Sequence, residues 1–221
     1  MSTLRQPIIC VLGHVDHGKT SILDSIRGTS VSKKEEGGIT QRIAATEISV
    51  NRIVELSAGK LTKSVFKVPG LLFVDTPGHV AFANMRTRGG ALADIAILVI
   101  DINEGLMPQT IESINILKKF KTPFIIVANK IDMISLFRKS QKTAFPDFLK
   151  EQREEYINDM ESKIYNIVNQ LYQYNLPSER YDRISDFTKA VPIVPASAKY
   201  GIGIMEILLT VTGLAQKYLS E

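Results

Sequence analysis

The sequence predicts an α/β fold: a mostly parallel sheet of about six to eight strands, one antiparallel strand at its edge, and helices on both faces. Two observations carry this. Short continuous apolar runs recur at 8–12, 71–74, 95–100, 124–128 and 191–194, as expected of strands covered on both faces. Helical patterns lie between or after them, with apolar residues three or four apart, as in Ile111-Ile114-Leu117 and Ile204-Ile207-Leu208-Val211-Leu214.

The antiparallel edge is expected from 45–66, where Ile48, Val50 and Val65, Phe66 flank a turn around Ala58-Gly59-Lys60. That alternation reads as a hairpin. Residues 133–188 lengthen one strand-to-helix connection, and the stripe Ile157-Met160-Ile164-Ile167-Val168-Leu171 predicts a long amphipathic helix there. That helix has two readings, packing on the body of the domain or binding a partner.

A length of 221 residues suits one domain spanning 1–221 with that helical insertion. No apolar run approaches the roughly 18 residues of a membrane span, and the start Met1-Ser2-Thr3-Leu4-Arg5 lacks a signal peptide's apolar stretch. A cytoplasmic protein without membrane attachment is expected, with a monomer as the default. The single cysteine, Cys10, lies in the run Ile8-Ile9-Cys10-Val11-Leu12 and reads as an inert core thiol. A net charge of +4 fits an RNA-bearing partner and many others besides.

The first strand runs into Gly13-His14-Val15-Asp16-His17-Gly18-Lys19-Thr20 and then the helical start Ser21-Ile22-Leu23. This satisfies G-x-x-x-x-G-K-[ST] in its strand-loop-helix context. The glycines let backbone N–H groups of 15–21 (Val15, Asp16, His17, Gly18, Lys19, Thr20, Ser21) curl around phosphate, Lys19 reaches the outer phosphates, and Thr20 offers its hydroxyl to Mg²⁺. At the end of the second run, Asp75-Thr76-Pro77-Gly78-His79 places a carboxylate where it can orient a metal-bound water, and Gly78 where its N–H can approach the terminal phosphate. Between them, Gly37-Gly38-Ile39-Thr40 can close Thr40 over the metal.

Asn129-Lys130-Ile131-Asp132 and Ser197-Ala198-Lys199 follow the last two apolar runs, outside the carboxyl ends of parallel strands where nucleotide sites form. The Asp132 carboxylate can accept from guanine N1 and the exocyclic amine. Adenine offers no such donor pair and would leave the carboxylate unpaired, which is costly. Asn129 can bond the N7 and O6 edge, the stems of Lys130 and Lys199 can cover the ring, and a Ser197 or Ala198 N–H can bond O6. His14 and His17 lack the cysteine and histidine partners of a zinc site and read as loop structure.

The phosphate loop with Asp75-Thr76-Pro77-Gly78-His79 resembles the translational GTPases, a branch of the P-loop GTPases. Gly37-Gly38-Ile39-Thr40-Gln41, Arg88-Gly89-Gly90-Ala91-Leu92-Ala93-Asp94 and Asp101-Ile102-Asn103-Glu104-Gly105 narrow the likeness to initiation factor five-B of archaea and eukaryotes, the relative of bacterial initiation factor two. The likeness covers nearly the whole chain. It departs at Ala44, where the family usually has glycine, and at Ile202, where it usually has an acid.

The resemblance implies a switch that binds GTP or GDP with Mg²⁺ through Thr20, Thr40 and Asp75, and hydrolyses GTP during subunit joining. His79 would position the water, with Thr40 and Gly78 sensing the terminal phosphate and Val15 and Ile39 gating the imidazole. Asp16 has two readings, ligand to a monovalent cation (Na⁺ or K⁺) or loop structure; Arg86 and Arg88 likewise, facing ribosomal RNA or solvent. The implied partners are the large ribosomal subunit, the initiation complex and, through further domains lacking here, initiator tRNA. On that reading the chain is an isolated GTPase domain cut from a larger factor.

Overall fold

The computed structural model describes residues 5–28, 44–56, 62–75 and 93–220. Seven strands form one sheet: β1 (Ile8–Gly13), β2 (Ala44–Ser49), β3 (Gly70–Asp75), β4 (Ile95–Asp101), β5 (Phe124–Asn129), β6 (Ser178–Arg180) and β7 (Val191–Pro195), in the order β2-β3-β1-β4-β5-β7-β6. All neighbours pair in parallel except β2 with β3. The five apolar runs of the sequence supply β1, β3, β4, β5 and β7.

Alternation along the strands divides the core between the two faces. Ile9 and Val11 of β1, Ile97 and Val99 of β4, and Ile125 and Val127 of β5 point to one side, against α1 (Lys19–Arg27), α2 (Val50–Leu56) and α6 (Ile204–Ser220). Cys10 and Leu12, Leu98 and Ile100, Ile126 and Ala128 point to the other, against α3 (Pro108–Lys119), α4 (Phe145–Leu149) and α5 (Glu154–Tyr172). A strand buried on both faces cannot alternate apolar with polar, hence the continuous runs. Each fully buried Ile, Leu or Val removes apolar surface worth about 1.5–3 kcal/mol from water.

The antiparallel edge exists, but not as the hairpin read from 45–66. Its first arm is β2; its partner is β3, in the register Ala45↔Val74 and Ile48↔Leu71. Val50 begins α2 instead of continuing the strand, and Lys63–Val65 form a single 3₁₀ turn. Val50 and Ile53 are buried one helical turn apart, and the Ser49 hydroxyl accepts the Arg52 N–H at 3.3 Å, capping the first turn. Helical spacing backed by a cap outweighs the weaker period-two signal. The turn expected at Ala58-Gly59-Lys60 lies outside the described residues.

The insertion packs on the body of the domain. Tyr156, Met160, Ile164, Ile167 and Leu171 form the buried stripe of α5, in contact with a cluster that includes Phe145, Phe148 and Phe137. A strand absent from the sequence reading, β6, extends the sheet beyond β7. Its Ser-Glu-Arg sequence carries no apolar signal. It is fixed by Arg180, which pairs with Glu161 of α5 and, through Nε at 2.7 Å, with Asp182.

Because Phe148 is fully buried in the core that α3 and α5 share, Phe148→Ala should lower the unfolding free energy by about 3–5 kcal/mol. Denaturant unfolding followed by circular dichroism would measure it. A loss of a few tenths would mean that the insertion is loosely attached.

Candidate functional site

The carboxyl ends of β1, β4, β5 and β7 lie side by side, and the loops that leave them meet at one edge of the sheet. β1 ends at Gly13, with φ +148°, where an added Cβ would lie 2.3 Å from the Val99 carbonyl oxygen of β4. The chain can leave the strand there only as glycine. It passes through Asp16 at φ 63° and Gly18 at φ 93° into α1, which begins at Lys19. Lys19 curls back over the loop, its Nζ donating to the carbonyl oxygens of Gly13 at 3.0 Å and His14 at 2.7 Å. An ammonium and a helix N-terminus therefore share one concave loop, the arrangement that attracts phosphate.

Asn129, the last residue of β5, is 2% exposed. Its Nδ2 donates to the His17 carbonyl at 2.9 Å and its Oδ1 accepts the Ala198 N–H at 3.1 Å. One side chain thus ties the phosphate loop to the loop after β7. A Cβ on Gly18 would come within 2.3 Å of Asn129 Nδ2, so that clasp also requires the second glycine.

The Asp132 carboxylate accepts the Ser197 hydroxyl at 2.6 Å, and Ser197 Oγ accepts the Tyr200 N–H at 3.3 Å. The N–H groups expected to reach guanine O6 are engaged within the protein: Ala198 on Asn129, and Ser197 on the Ile202 carbonyl at 3.0 Å. The bridge between Ser197 and Ile202 closes this loop, and Ile202, a departure from the resembled family, is buried beneath it. Lys130 stands at φ 67° with Nζ 2.8 Å from Asp101 Oδ2, while Lys199 is exposed with its ammonium 5.2 Å from the Tyr200 ring centre.

His17 is structural, as its lack of metal-ligand partners suggested. It is fully buried; its Nδ1 accepts the Asp101 N–H at 3.1 Å and its Nε2 lies 3.0 Å from Glu104 Oε2. Burial, the dominant influence, holds its pKa below the usual histidine value although Glu104 pulls upward. Burial also pushes Asp101 up, but Lys130 and the Asn103 donors outweigh it and hold that carboxyl below its usual range. Val15 and Asp16 are exposed at the lip of the loop, with the Val15 N–H 3.3 Å from Gln109 Oε1 of α3.

Thr20 and Ser21 open α1, and Asp75 ends β3 in register with Val11 of β1. Thr40, Gly78 and His79 lie outside the described residues, as do Ile39, Arg86 and Arg88. Motif reading passed over Asp101, Asn103 and Glu104 as chemistry, although an acid at the carboxyl end of an all-apolar strand occupies a ligand-binding position. A cavity of about 440 Å³ lined by Tyr181, Phe187, Leu209 and Tyr218 shares no residue with these loops.

The sequence matches the elongation factor Tu GTP binding domain family over residues 4–217. It is 65% identical over 218 residues to a probable translation initiation factor IF-2 of Thermoplasma volcanium, covering 99% of this chain and 37% of that protein. The Thermoplasma acidophilum counterpart is 64% identical over 221 residues, with 100% and 37% covered. GDP-bound aIF5B from Aeropyrum pernix superposes with a TM-score of 0.86 at 47% identity, over 98% of this chain and 36% of that one. A bacterial selenocysteine-specific elongation factor shares the fold, with a TM-score of 0.60 at 23% identity over 97% of this chain and 29% of its own. The chain therefore spans between 29% and 37% of the length of these proteins.

Gly18→Ala should abolish nucleotide binding, weakening it at least about 100-fold, because a positive φ and a clash with Asn129 act together. Titration with a fluorescent guanine nucleotide would measure this. Affinity within about threefold of the parent would show that the loop tolerates a side chain there.

Proposed function

Because the chain belongs to the elongation factor Tu GTP binding domain family, a family of GTPases, we propose that it is the nucleotide switch of a translation initiation factor. It binds GTP, hydrolyses it to GDP under stimulation by the ribosome, and so times subunit joining. The observation that supports this best is the meeting of the phosphate loop 13–20 with Asn129 and Asp132 at one edge of the sheet, clasped by the Asn129 amide.

In this reading the backbone of 15–21 and Lys19 hold the phosphates, and Asp132 accepts both donors of the guanine edge. One Asn129 N–H is left over from its bond to His17 and serves the N7 and O6 edge, and the stems of Lys130 and Lys199 flank the ring. Ser197 orients Asp132 by its hydroxyl, while Ala198 holds the Asn129 amide in place. The oxygen donors expected at the metal site suit Mg²⁺: the Thr20 hydroxyl at the start of α1 and Asp75 at the end of the strand beside β1. Thr40 completes that set, with Asp16 beside the phosphates for a monovalent cation. The metal ion, when bound, neutralises charge on the outer phosphates. Thr40 and Gly78 order around the terminal phosphate, and His79 positions water, held back by Val15 and Ile39 until a ribosomal surface rearranges the site.

The whole of 1–221 is one GTP-binding domain with the 133–188 insertion, acting as a monomer in the cytoplasm. No helix of the described residues is long and apolar enough to cross a membrane. Its partners are the large ribosomal subunit and the initiation complex, and domains of the kind that fill the rest of the longer relatives carry initiator tRNA.

Calorimetry should give GTP at least about 100-fold tighter than ATP, since adenine offers the Asp132 carboxylate no donor pair. Asp132→Asn should move preference toward xanthosine triphosphate, whose C2 carbonyl accepts from an amide. Equal affinity for GTP and ATP would sink the guanine assignment. His79→Ala should slow ribosome-stimulated hydrolysis by about 100-fold or more with little change in GDP affinity; unchanged turnover would remove His79 from the chemistry.

A further inference from the structure

The insertion helix α5 touches the nucleotide site at two points that the function above does not use. The fully buried Tyr156 donates its hydroxyl to the Ile131 carbonyl at 3.0 Å, inside the guanine-reading motif. Further along the helix, about 20 Å away on its axis, Gln170 Oε1 accepts the Leu106 N–H at 3.0 Å. The backbone there is drawn close: Gly105 stands at φ +75°, and a Cβ on it would fall 2.7 Å from Gln170 Oε1.

The segment held by Gln170 is a compact turn, 101–106. The Asp101 carbonyl accepts the N–H groups of Glu104 at 3.1 Å and Gly105 at 2.9 Å, and its carboxylate accepts the Asn103 N–H at 2.9 Å. From this turn, bonds reach both halves of the site. Toward the phosphate loop, the Asp101 N–H and the Glu104 carboxylate grip the two ring nitrogens of His17. Toward the base motif, the Asp101 carboxylate holds the Lys130 ammonium, Asn103 Nδ2 donates to the Lys130 carbonyl at 3.4 Å, and the Ile102 N–H donates to the Asn129 carbonyl at 3.0 Å.

We propose that the 101–106 turn is the positioning element of the nucleotide site, with Asp101 setting Lys130, and that helix α5 braces the turn and the base motif through Gln170 and Tyr156. The inference rests on the guanine-nucleotide reading above and assigns the insertion a role in it, that of slowing nucleotide release. Asp101, Tyr156 and Gln170 are positioning residues, since none of them needs to touch the nucleotide. Lys130 in its left-handed conformation has a long stem with many rotamers; an ion pair with a buried carboxylate selects one of them before the nucleotide arrives.

The test is release of fluorescent GDP by stopped flow, with thermal unfolding of the nucleotide-free protein measured in parallel. Asp101→Asn keeps the side-chain size and the acceptor for Asn103 but releases the Lys130 ammonium, and should speed release about tenfold. Lys130→Ala should speed it too, and adding Asp101→Asn to that variant should change nothing further, because the two act in series. Tyr156→Phe keeps the buried ring and removes only the hydroxyl, and with Gln170→Leu should speed release about threefold each. A purely structural role would lower the unfolding temperature and leave release from the folded protein alone. Wild type that holds GDP with release unchanged in Asp101→Asn and Tyr156→Phe, or with additive Asp101 and Lys130 effects, overturns this inference alone. Wild type that holds no guanine nucleotide overturns the proposed function, and this inference with it.

Discussion

The site depends on one buried side-chain amide. The loops after β1, β5 and β7 leave the sheet at the same end, and each brings backbone groups that must find partners once water is excluded. Asn129 supplies a donor to the carbonyl of His17 and an acceptor to the N–H of Ala198. Only an amide of this length can do both. Aspartate offers no hydrogen to the carbonyl, and alanine leaves both groups unpaired at a cost of about 1–3 kcal/mol each. Gly18 follows from the same constraint, since its missing Cβ is the space that the amide occupies. Two motifs far apart in sequence are therefore one physical object.

That object was partly legible because each half obeys a local rule. A strand that ends in Gly13 and resumes as a helix at Lys19 reads as an anion loop from spacing alone, and the five apolar runs read as doubly covered strands because burial on both faces forbids polar alternation. Where a local rule was weak, the reading failed. The segment after Ser49 carries both a period-two and a helical pattern, and the cap on Arg52 and the burial of Ile53 decided for a helix. The strand β6 has no apolar residue and exists because Arg180 finds carboxylates on either side. The link between Asp132 and Ser197 could be placed at one edge but not joined, since their hydrogen bond spans residues that only the folded sheet brings together. The turn at 101–106 is built from two carboxylates, one amide and several backbone groups; its residues marked the family likeness, but no spacing announces the bonds they make.

The charges around the site follow a consistent logic. Lys130 and Asp101 are a half-buried ion pair, and such pairs owe their value to geometry more than to net stability, because desolvation offsets much of the Coulomb attraction. His17 needs no charge at all: one ring nitrogen accepts a backbone N–H while the other faces Glu104, and burial keeps the ring neutral. A neutral imidazole in the loop leaves Lys19 as the cation at its centre, tethered to the Gly13 and His14 carbonyls. Such neutral acceptors hold an ammonium less strongly than an anionic phosphate would.

The insertion joins this arrangement to the outer strand β6. Glu161 of α5 pairs with Arg180 of β6 and with Arg183, while residues of the same helix on either side of it, Tyr156 and Gln170, hold the base motif and the 101–106 turn. A displacement of α5 cannot be absorbed by the helix alone, since its apolar stripe is locked among Phe148, Ile131 and Ile114 in one close-packed cluster. Tyr156 ties the helix to the Ile131 carbonyl and Gln170 ties it to the Leu106 N–H. A helix that could have been ornament is thus a load path from the outer edge of the sheet to the site at its carboxyl end.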